Sequence, residues 1–292
     1  MPFNPNVPKG AAGSTATVPH PTRPRRDPAT VLASSTFSAG ILLLPSDVQT
    51  DARRLYYLLR TVDDLVDEHD PQAAERVDAI ERWTRGQTTD TPETRTLTDL
   101  SRRYPLPTDA LAEFCRGMRH DLDGAPIETE SDLELYCHCV GGTVGIMLAA
   151  LLGTSNPDGE AKMATLGAAM QRTNILRDID EDLAQGRVYI ARSTIKRFGF
   201  PTPGAREELL RDQIAYADTL YEDGLHAIPL LSNGRRAMAL STALYREILR
   251  QIERNGYGQT PGRVIVPAWR KRLLIATHSF APHQKRATHP YA

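Results

Sequence analysis

Two runs of this chain carry acids at spacings that a helix would gather onto one face. Gln171, Asn174, Asp178 and Asp182 follow at intervals of three, four and four, with Arg177 and Glu181 beside them. Earlier, Arg60, Asp63 and Asp67 repeat the arrangement, and Asp64 with Glu68 forms a second pair one turn apart. Residues three and four apart are neighbours on a helix surface. Each run is therefore a polar stripe, and interleaved apolar residues (Ile175, Leu176, Ile179 and Leu183 in the later run) tether its helix to a core. Like charges at this spacing cost a helix roughly a few tenths of a kcal/mol per pair, so something should compensate. Mg2+ suits these donors: it is hard, takes oxygen ligands, and is usually held by one or two carboxylates together with substrate phosphates. Arg60, Arg177 and Arg187 add groups that grip phosphate oxygens in pairs. A lone acidic run such as residues 67–70 reads as a solvated helix end. Two runs, one with an amide pair on its acidic face, read as the walls of a cavity holding metal ions and a highly charged anion such as a diphosphate. That chemistry points to an enzyme.

Positioning two such stripes requires long helices. Leu55, Leu58, Leu59, Val62 and Val66 recur at helical spacing, which predicts a helix from an Asp47 cap to about residue 68. Further helices are predicted over residues 71–83, 91–104 and 107–122. Ser131 or Asp132 caps the next, which is expected to run through Cys139 and the glycine-rich residues 141–145 to 152. A long helix over 160–184 carries the later stripe and stops near Gly186. A short element at 192–197, amphipathic helices over 203–228 and 233–255, and an apolar–basic segment at 263–276 complete the chain. Strand alternation is rare, and neither a fixed-period repeat nor a linker is evident. The expected fold class is all-α: a single-domain helical bundle over residues 30–276 with its site in a central cavity. The Pro- and Gly-rich residues 1–29 read as a disordered tail, with a targeting segment as the alternative, and residues 277–292 as a loose C-terminal tail.

Composition narrows the classes. Lysine plus arginine number 35 against 36 acids, so net charge offers no attraction to nucleic acid or to a membrane surface. The longest apolar run, 146–152, is far shorter than the ~20 residues of a bilayer-spanning helix. Cys115, Cys137 and Cys139 make no disulfide framework and imply a reducing compartment. Cys137, His138 and Cys139 adjoin, but adjacent helical positions point different ways and no second pair completes a zinc set. Buried, reduced thiols are expected instead. His120 with Asp121 and Asp123 reads as a solvated helix end. No Ser–His–Asp arrangement stands out, and no Gly-x-Gly-x-x-Gly follows a strand.

The motifs resemble those of the squalene and phytoene synthases. Gln171-x-x-Asn174-Ile-Leu-Arg177-Asp178-x-x-Glu181-Asp182, followed by Gly186-Arg187-Val-Tyr189, is similar to the second signature of that family. Arg60-x-x-Asp63-Asp64-x-x-Asp67 resembles its first aspartate motif. The stretch from Tyr136 through Gly141, Gly142 and Gly145 resembles its central helix. Ser34-x-x-Phe37 with Leu43-Leu44-Pro45 resembles its N-terminal helix, and Tyr245-Arg followed by Arg263-Val its C-terminal pattern. The resemblance spans about residues 31–272 and is strongest to bacterial phytoene synthase. There are departures. A glycine stands at 141 or 142 for the usual alanine, Asp180 stands where glycine is frequent, and Ile190-Ala191 replaces Leu-Pro. Ser35 occupies a position that is often basic.

The resemblance implies an isoprenoid synthase fold and a Mg2+-dependent, head-to-head condensation of two prenyl diphosphates. Two geranylgeranyl diphosphates would give phytoene through a cyclopropyl diphosphate, releasing pyrophosphate. It implies catalytic roles for Asp63, Asp67, Asp178, Asp182 and Tyr136, the four aspartates holding Mg2+ or Mn2+. Substrate contacts are implied for Ser34, Phe37, Arg60, Asp64, Gln171, Asn174, Arg177, Glu181, Arg187 and Tyr245. The rings of Tyr136, Phe37 and Tyr245 can stabilise a carbocation, with plain core packing as the alternative. Gly141, Gly142 and Gly145 would admit either a prenyl chain or another helix at close range. Other readings on the same residues are a squalene or presqualene diphosphate synthase using farnesyl diphosphate, the squalene type with NADPH, or a terpene cyclase. Outside enzymes, the alternative is a prenyl-lipid-binding scaffold. The expected partners are prenyl diphosphates, without nucleic acid. The expected location is the cytoplasm, with a peripheral membrane contact for release of a hydrophobic product.

Overall fold

The computed structural model describes residues 38–280, and every regular element within them is helical. A short α1 (Ser38–Ile41) leads into α2 (Ser46–Asp67), which carries the earlier acidic stripe. Then come α3 (Ala73–Thr84), α4 (Pro92–Ser101) and α5 (Thr108–Asp123). Next, α6 (Glu130–Cys137) runs through a π-turn (His138–Gly142) into α7 (Thr143–Leu152). The later stripe lies on α8 (Pro157–Ala184). The remainder is α9 (Arg192–Phe198), α10 (Glu207–Gly224) with a 3-10 turn (Leu225–Leu230), α11 (Arg235–Arg254) and α12 (Ala268–Phe280). The expected all-α architecture is the observed one; Ser34 and Phe37 lie outside the described residues.

Local chemistry sets the helix ends, and in places it moves them from the expected positions. The cap of α6 is Thr129, not Ser131 or Asp132: its hydroxyl accepts the Asp132 N–H at 3.2 Å, and the Asp132 carboxylate accepts the Thr129 N–H at 2.9 Å. This reciprocal box satisfies two amide donors that a helix start otherwise leaves open. α8 begins three residues earlier than expected because Asn156 caps it through the Gly159 amide and Pro157 fills the first position. The predicted helix over 203–228 is shorter and ends in a 3-10 turn that contains Pro229. The last helix runs to Phe280, beyond the expected limit at 276.

α8 is the hub. At about 1.5 Å per residue its 28 residues cross the whole bundle, and it packs against α7, the π-turn, α10 and α11. Glycines bring α7 and α8 together: a Cβ on Gly145 would collide with the Met163 carbonyl, and one on Gly141 with the Gly167 carbonyl. Of the two roles open to these glycines, close approach of another helix is realised. Arg172 is 1% exposed; its guanidinium donates to Glu130 at 3.0 Å and to Gln213, tying α8 to α6 and α10. Tyr221 and Thr173 share a hydroxyl hydrogen bond of 2.8 Å in the same interface.

Two features of residues 130–152 bear on the site and on the core. The helix runs through the glycines to Leu152 as expected, with a π-turn at His138–Gly142. At 23 residues it is also long and apolar enough to cross a bilayer, although 67% of its most apolar 18-residue stretch is buried within the bundle. It is a core helix, and its π-turn lies in the wall of the cavity described next.

Candidate active site

The two stripes meet. A cavity of about 320 Å³ is lined on one side by Arg60, Asp63 and Asp67 of α2, and on the other by Gln171, Asn174, Arg177, Asp178, Glu181 and Asp182 of α8. Tyr136 of α6, Tyr245 of α11 and Arg187 from the loop after α8 complete the polar end. Below them the wall is apolar, with Leu59, Phe114, Val140, Val144, Leu148 and Met163 among its residues. Such a volume falls within the range of ligand pockets. Asp64 does not line this cavity; it pairs with Arg60 at 2.5 Å.

Arginines partner most of the carboxylates. Arg60 donates to Asp63 at 2.8 Å. Arg187 donates to the Asp67 carboxylate and to the Asp67 carbonyl. Arg177 grips Asp178 with two bonds, at 2.8 and 2.5 Å. Asp182 has no ion-pair partner among the described residues. Burial, then the charges of Asp178 and Asp67, push its carboxyl up to about 7. Burial and the Asp67 charge, only partly offset by Arg60, push Asp63 to about 7 as well. Asp67 is also raised, by burial against the opposing effect of Arg187.

Sequence reasoning missed three residues. Asp121, which by sequence reads as part of a solvated helix end, is inside: its side chain is 5% exposed and lines the cavity. It accepts hydrogen bonds from the phenols of Tyr136 at 3.0 Å and Tyr189 at 3.1 Å. Those two rings stack at 5.1 Å and cover the last turn of α5. The correction has a plain cause, since local sequence does not say what packs over a helix end. Tyr189 itself sits in the signature but carried no assigned role. Arg263 arrives from the loop between α11 and α12, placing Nε 3.3 Å from Asp178 and Nη1 3.0 Å from Glu181. Burial, then the Asp121 charge, raises Tyr136 well above the usual tyrosine range. It therefore stays a neutral phenol at physiological pH and cannot serve as a base there.

The donor set fits a hard divalent cation. Every group is oxygen, the carboxylates sit on opposed walls, and the Oδ1 of Asn174 is buried without a hydrogen-bond partner. Among the described residues no three His, Cys, Asp or Glu side chains converge on one point. One or two carboxylates per ion, completed by phosphate oxygens, need no such convergence. The three cysteines are free and buried, as expected. His138 bonds Glu113 at 2.9 Å.

Comparison with known proteins bears on the family and on the fold. The family model for squalene/phytoene synthase matches residues 31–270. A phytoene synthase from Thermus thermophilus is 35% identical over 254 residues, 83% of this chain and 87% of that protein. A 15-cis-phytoene synthase from Synechococcus elongatus is 33% identical, over 82% of this chain and 86% of its own length. Among solved structures, a dehydrosqualene synthase in complex with ligand superposes with a TM-score of 0.77 at 29% identity, covering 86% of this chain and 93% of that one. Squalene synthase HpnC from Alicyclobacillus acidocaldarius superposes with a TM-score of 0.68 at 25% identity, covering 77% and 90%.

Proposed function

The chain belongs to the squalene/phytoene synthase family, a family of prenyltransferases, and on that premise we propose that it joins two geranylgeranyl diphosphates head to head to form phytoene. One observation carries the proposal: two carboxylate–arginine stripes face each other at the polar end of a cavity whose remaining wall is apolar. The names of the Thermus and Synechococcus relatives support phytoene as the product.

Asp63, Asp67, Asp178 and Asp182, with the Asn174 amide, would hold Mg2+ or Mn2+. Bound there, the cation would neutralise the charge of departing pyrophosphate as a Lewis acid. The chain's own residues do the rest. Arg60, Arg177, Arg187 and Arg263 each grip a carboxylate in or beside the cavity. A guanidinium matches phosphate as well as carboxylate, so an arriving diphosphate can take over these arginines. The apolar wall keeps water from the allylic cation that ionisation leaves. Tyr136 keeps its proton on the hydrogen bond to Asp121, and its ring stabilises positive charge. The reaction balances in two halves. The first ionisation releases pyrophosphate, the second substrate's double bond attacks the cation, and a cyclopropane closes as one proton leaves. The second ionisation releases the second pyrophosphate, and the rearranged cation loses another proton.

A second reading keeps the chemistry and shortens the substrate. The solved neighbours named dehydrosqualene synthase and squalene synthase favour it; the substrate would then be farnesyl diphosphate, with NADPH needed only for a squalene-type product. Incubation with C15 or C20 diphosphate and Mg2+, with and without NADPH, separates the readings by product mass. Absence of pyrophosphate release from every allylic diphosphate would refute both and favour the lipid-binding scaffold.

We also propose that the protein is cytoplasmic and meets a membrane peripherally. Trp269 and Leu273, one turn apart on α12, are 59% and 56% exposed, and Ile265 is exposed nearby. Lys271 and Arg272 lie beside them, and residues 255–280 contain no acid. Exposed apolar side chains among basic ones suit an anionic lipid surface. Co-flotation with anionic vesicles, lost in a Trp269→Glu/Leu273→Glu variant, is the expected result.

A further inference from the structure

Asp180 lies on α8 between two members of the acidic stripe, yet it faces away from the cavity. Its two oxygens accept a bidentate pair from Arg206, both at 2.7 Å, and Oδ2 also accepts the Gly262 amide at 2.7 Å. Arg206 is 4% exposed. It packs against Gly258 so closely that a Cβ there would strike the guanidinium, and Gly258 has a φ of +76°. The Gly258 carbonyl in turn accepts the Gly204 amide at 3.1 Å. The α11–α12 loop is thus pinned at Gly258 and again at Gly262. The next residue is Arg263, which reaches over the stripe to Asp178 and Glu181.

We propose that Asp180 is a positioning residue for diphosphate binding: with Arg206 it clamps the α11–α12 loop at Gly262 and so holds the Arg263 guanidinium at the mouth of the cavity. Residues 256–263 include left-handed backbone at Gly256, Tyr257, Gly258 and Gly262. A loop with this backbone has many conformations to lose on ordering, and an anchor next to Arg263 removes that cost before ligand arrives. Preorganisation of this kind raises affinity without adding a contact to the ligand. Asp180 stands where the signature that this chain resembles frequently has glycine.

The inference rests on the reading of the cavity as a diphosphate site. Its test is titration of the full chain with inorganic pyrophosphate and Mg2+ by calorimetry, using Asp180→Gly, Asp180→Asn, Arg263→Gln and the Asp180→Gly/Arg263→Gln double variant. Asp180→Gly should weaken binding by about 5- to 10-fold, within the range of coupling between linked residues. Asp180→Asn keeps helix propensity and an amide acceptor for Gly262, and guards against simple misfolding; it should fall between wild type and Asp180→Gly. The double variant should bind no more weakly than Arg263→Gln alone, because Asp180 acts through Arg263. An equal loss in both backgrounds, or affinity within twofold of wild type in Asp180→Gly, overturns the clamp while leaving the cavity assignment intact. Failure of the wild type to bind pyrophosphate overturns both.

Discussion

Arg187, on the loop that follows α8, donates to both the carboxylate and the backbone carbonyl of Asp67, a residue 120 positions earlier at the end of α2. This contact joins the two acidic stripes across the mouth of the cavity. It also puts the guanidinium where a diphosphate would compete with Asp67 for it. Arg187→Gln should lower kcat/KM for prenyl diphosphate by tenfold or more, at about 1.4 kcal/mol per factor of ten. Steady-state kinetics within twofold of wild type would remove Arg187 from the diphosphate site.

Asp178 is held by Arg177 and approached by Arg263. Asp178→Ala should abolish turnover, with a loss on the order of 10³ or more, as for removal of a group that supports developing charge. Circular dichroism and a Tm within about 4 °C of wild type would confirm that the fold survives. Normal turnover in a folded variant sinks the assignment of this stripe to metal and diphosphate.

The raised carboxyls of Asp63 and Asp182, both at about 7, make stability depend on pH in a definite direction. Both would titrate near the ordinary aspartate value of about 4 once unfolded. Between about 4 and 7 the native state therefore binds more protons than the unfolded state, and stability falls as pH rises through that window. In EDTA, thermal melts should decline from pH 5 to pH 8 by this contribution. Asp182→Asn breaks no ion pair; it should flatten that slope and raise Tm at pH 8 by roughly 2–4 °C. Parallel melting curves for variant and wild type would contradict the electrostatic account. Divalent cations must displace those protons, so proton release on Mg2+ binding should shrink above pH 7.

Tyr136 donates its proton to Asp121 and is held protonated by burial and that neighbouring charge. Its ring, rather than a phenolate, is the useful part. Tyr136→Phe should keep turnover within about tenfold of wild type, while Tyr136→Ala loses both ring and packing and costs about 3 kcal/mol or more of stability. Equal collapse of activity in both variants, with Tyr136→Phe still folded, would show that the hydroxyl carries the role.

Gly145 meets the Met163 carbonyl where α7 crosses α8. Gly145→Val has no room to place its side chain without parting the helices. Overpacking of this kind costs about 1–3 kcal/mol, and here the obstacle is backbone rather than a flexible side chain, so the upper end is expected in chemical denaturation. An unchanged denaturation midpoint would mean that the two helices separate freely.

What the sequence determined was membership of each face. Asp63 with Asp67, and Gln171 with Asn174, Asp178 and Asp182, share stripes because a helix repeats every 3.6 residues, a property of neighbours along the chain. The all-α class follows from the same periodicity. What only the tertiary structure decided was which faces meet. Asp121 reads as a helix end in water, and becomes part of the cavity because Tyr136 and Tyr189 from other elements cover it. Asp64 belongs to the aspartate motif by spacing, yet its place on the turn leaves it paired with Arg60 outside the cavity. Arg263 reaches the later stripe from a loop 82 positions beyond Glu181. Asp180, one residue before Glu181, points the other way to hold that loop. Helical periodicity is settled within a few residues, whereas burial and ion pairing depend on segments a hundred residues apart, brought together when the bundle packs.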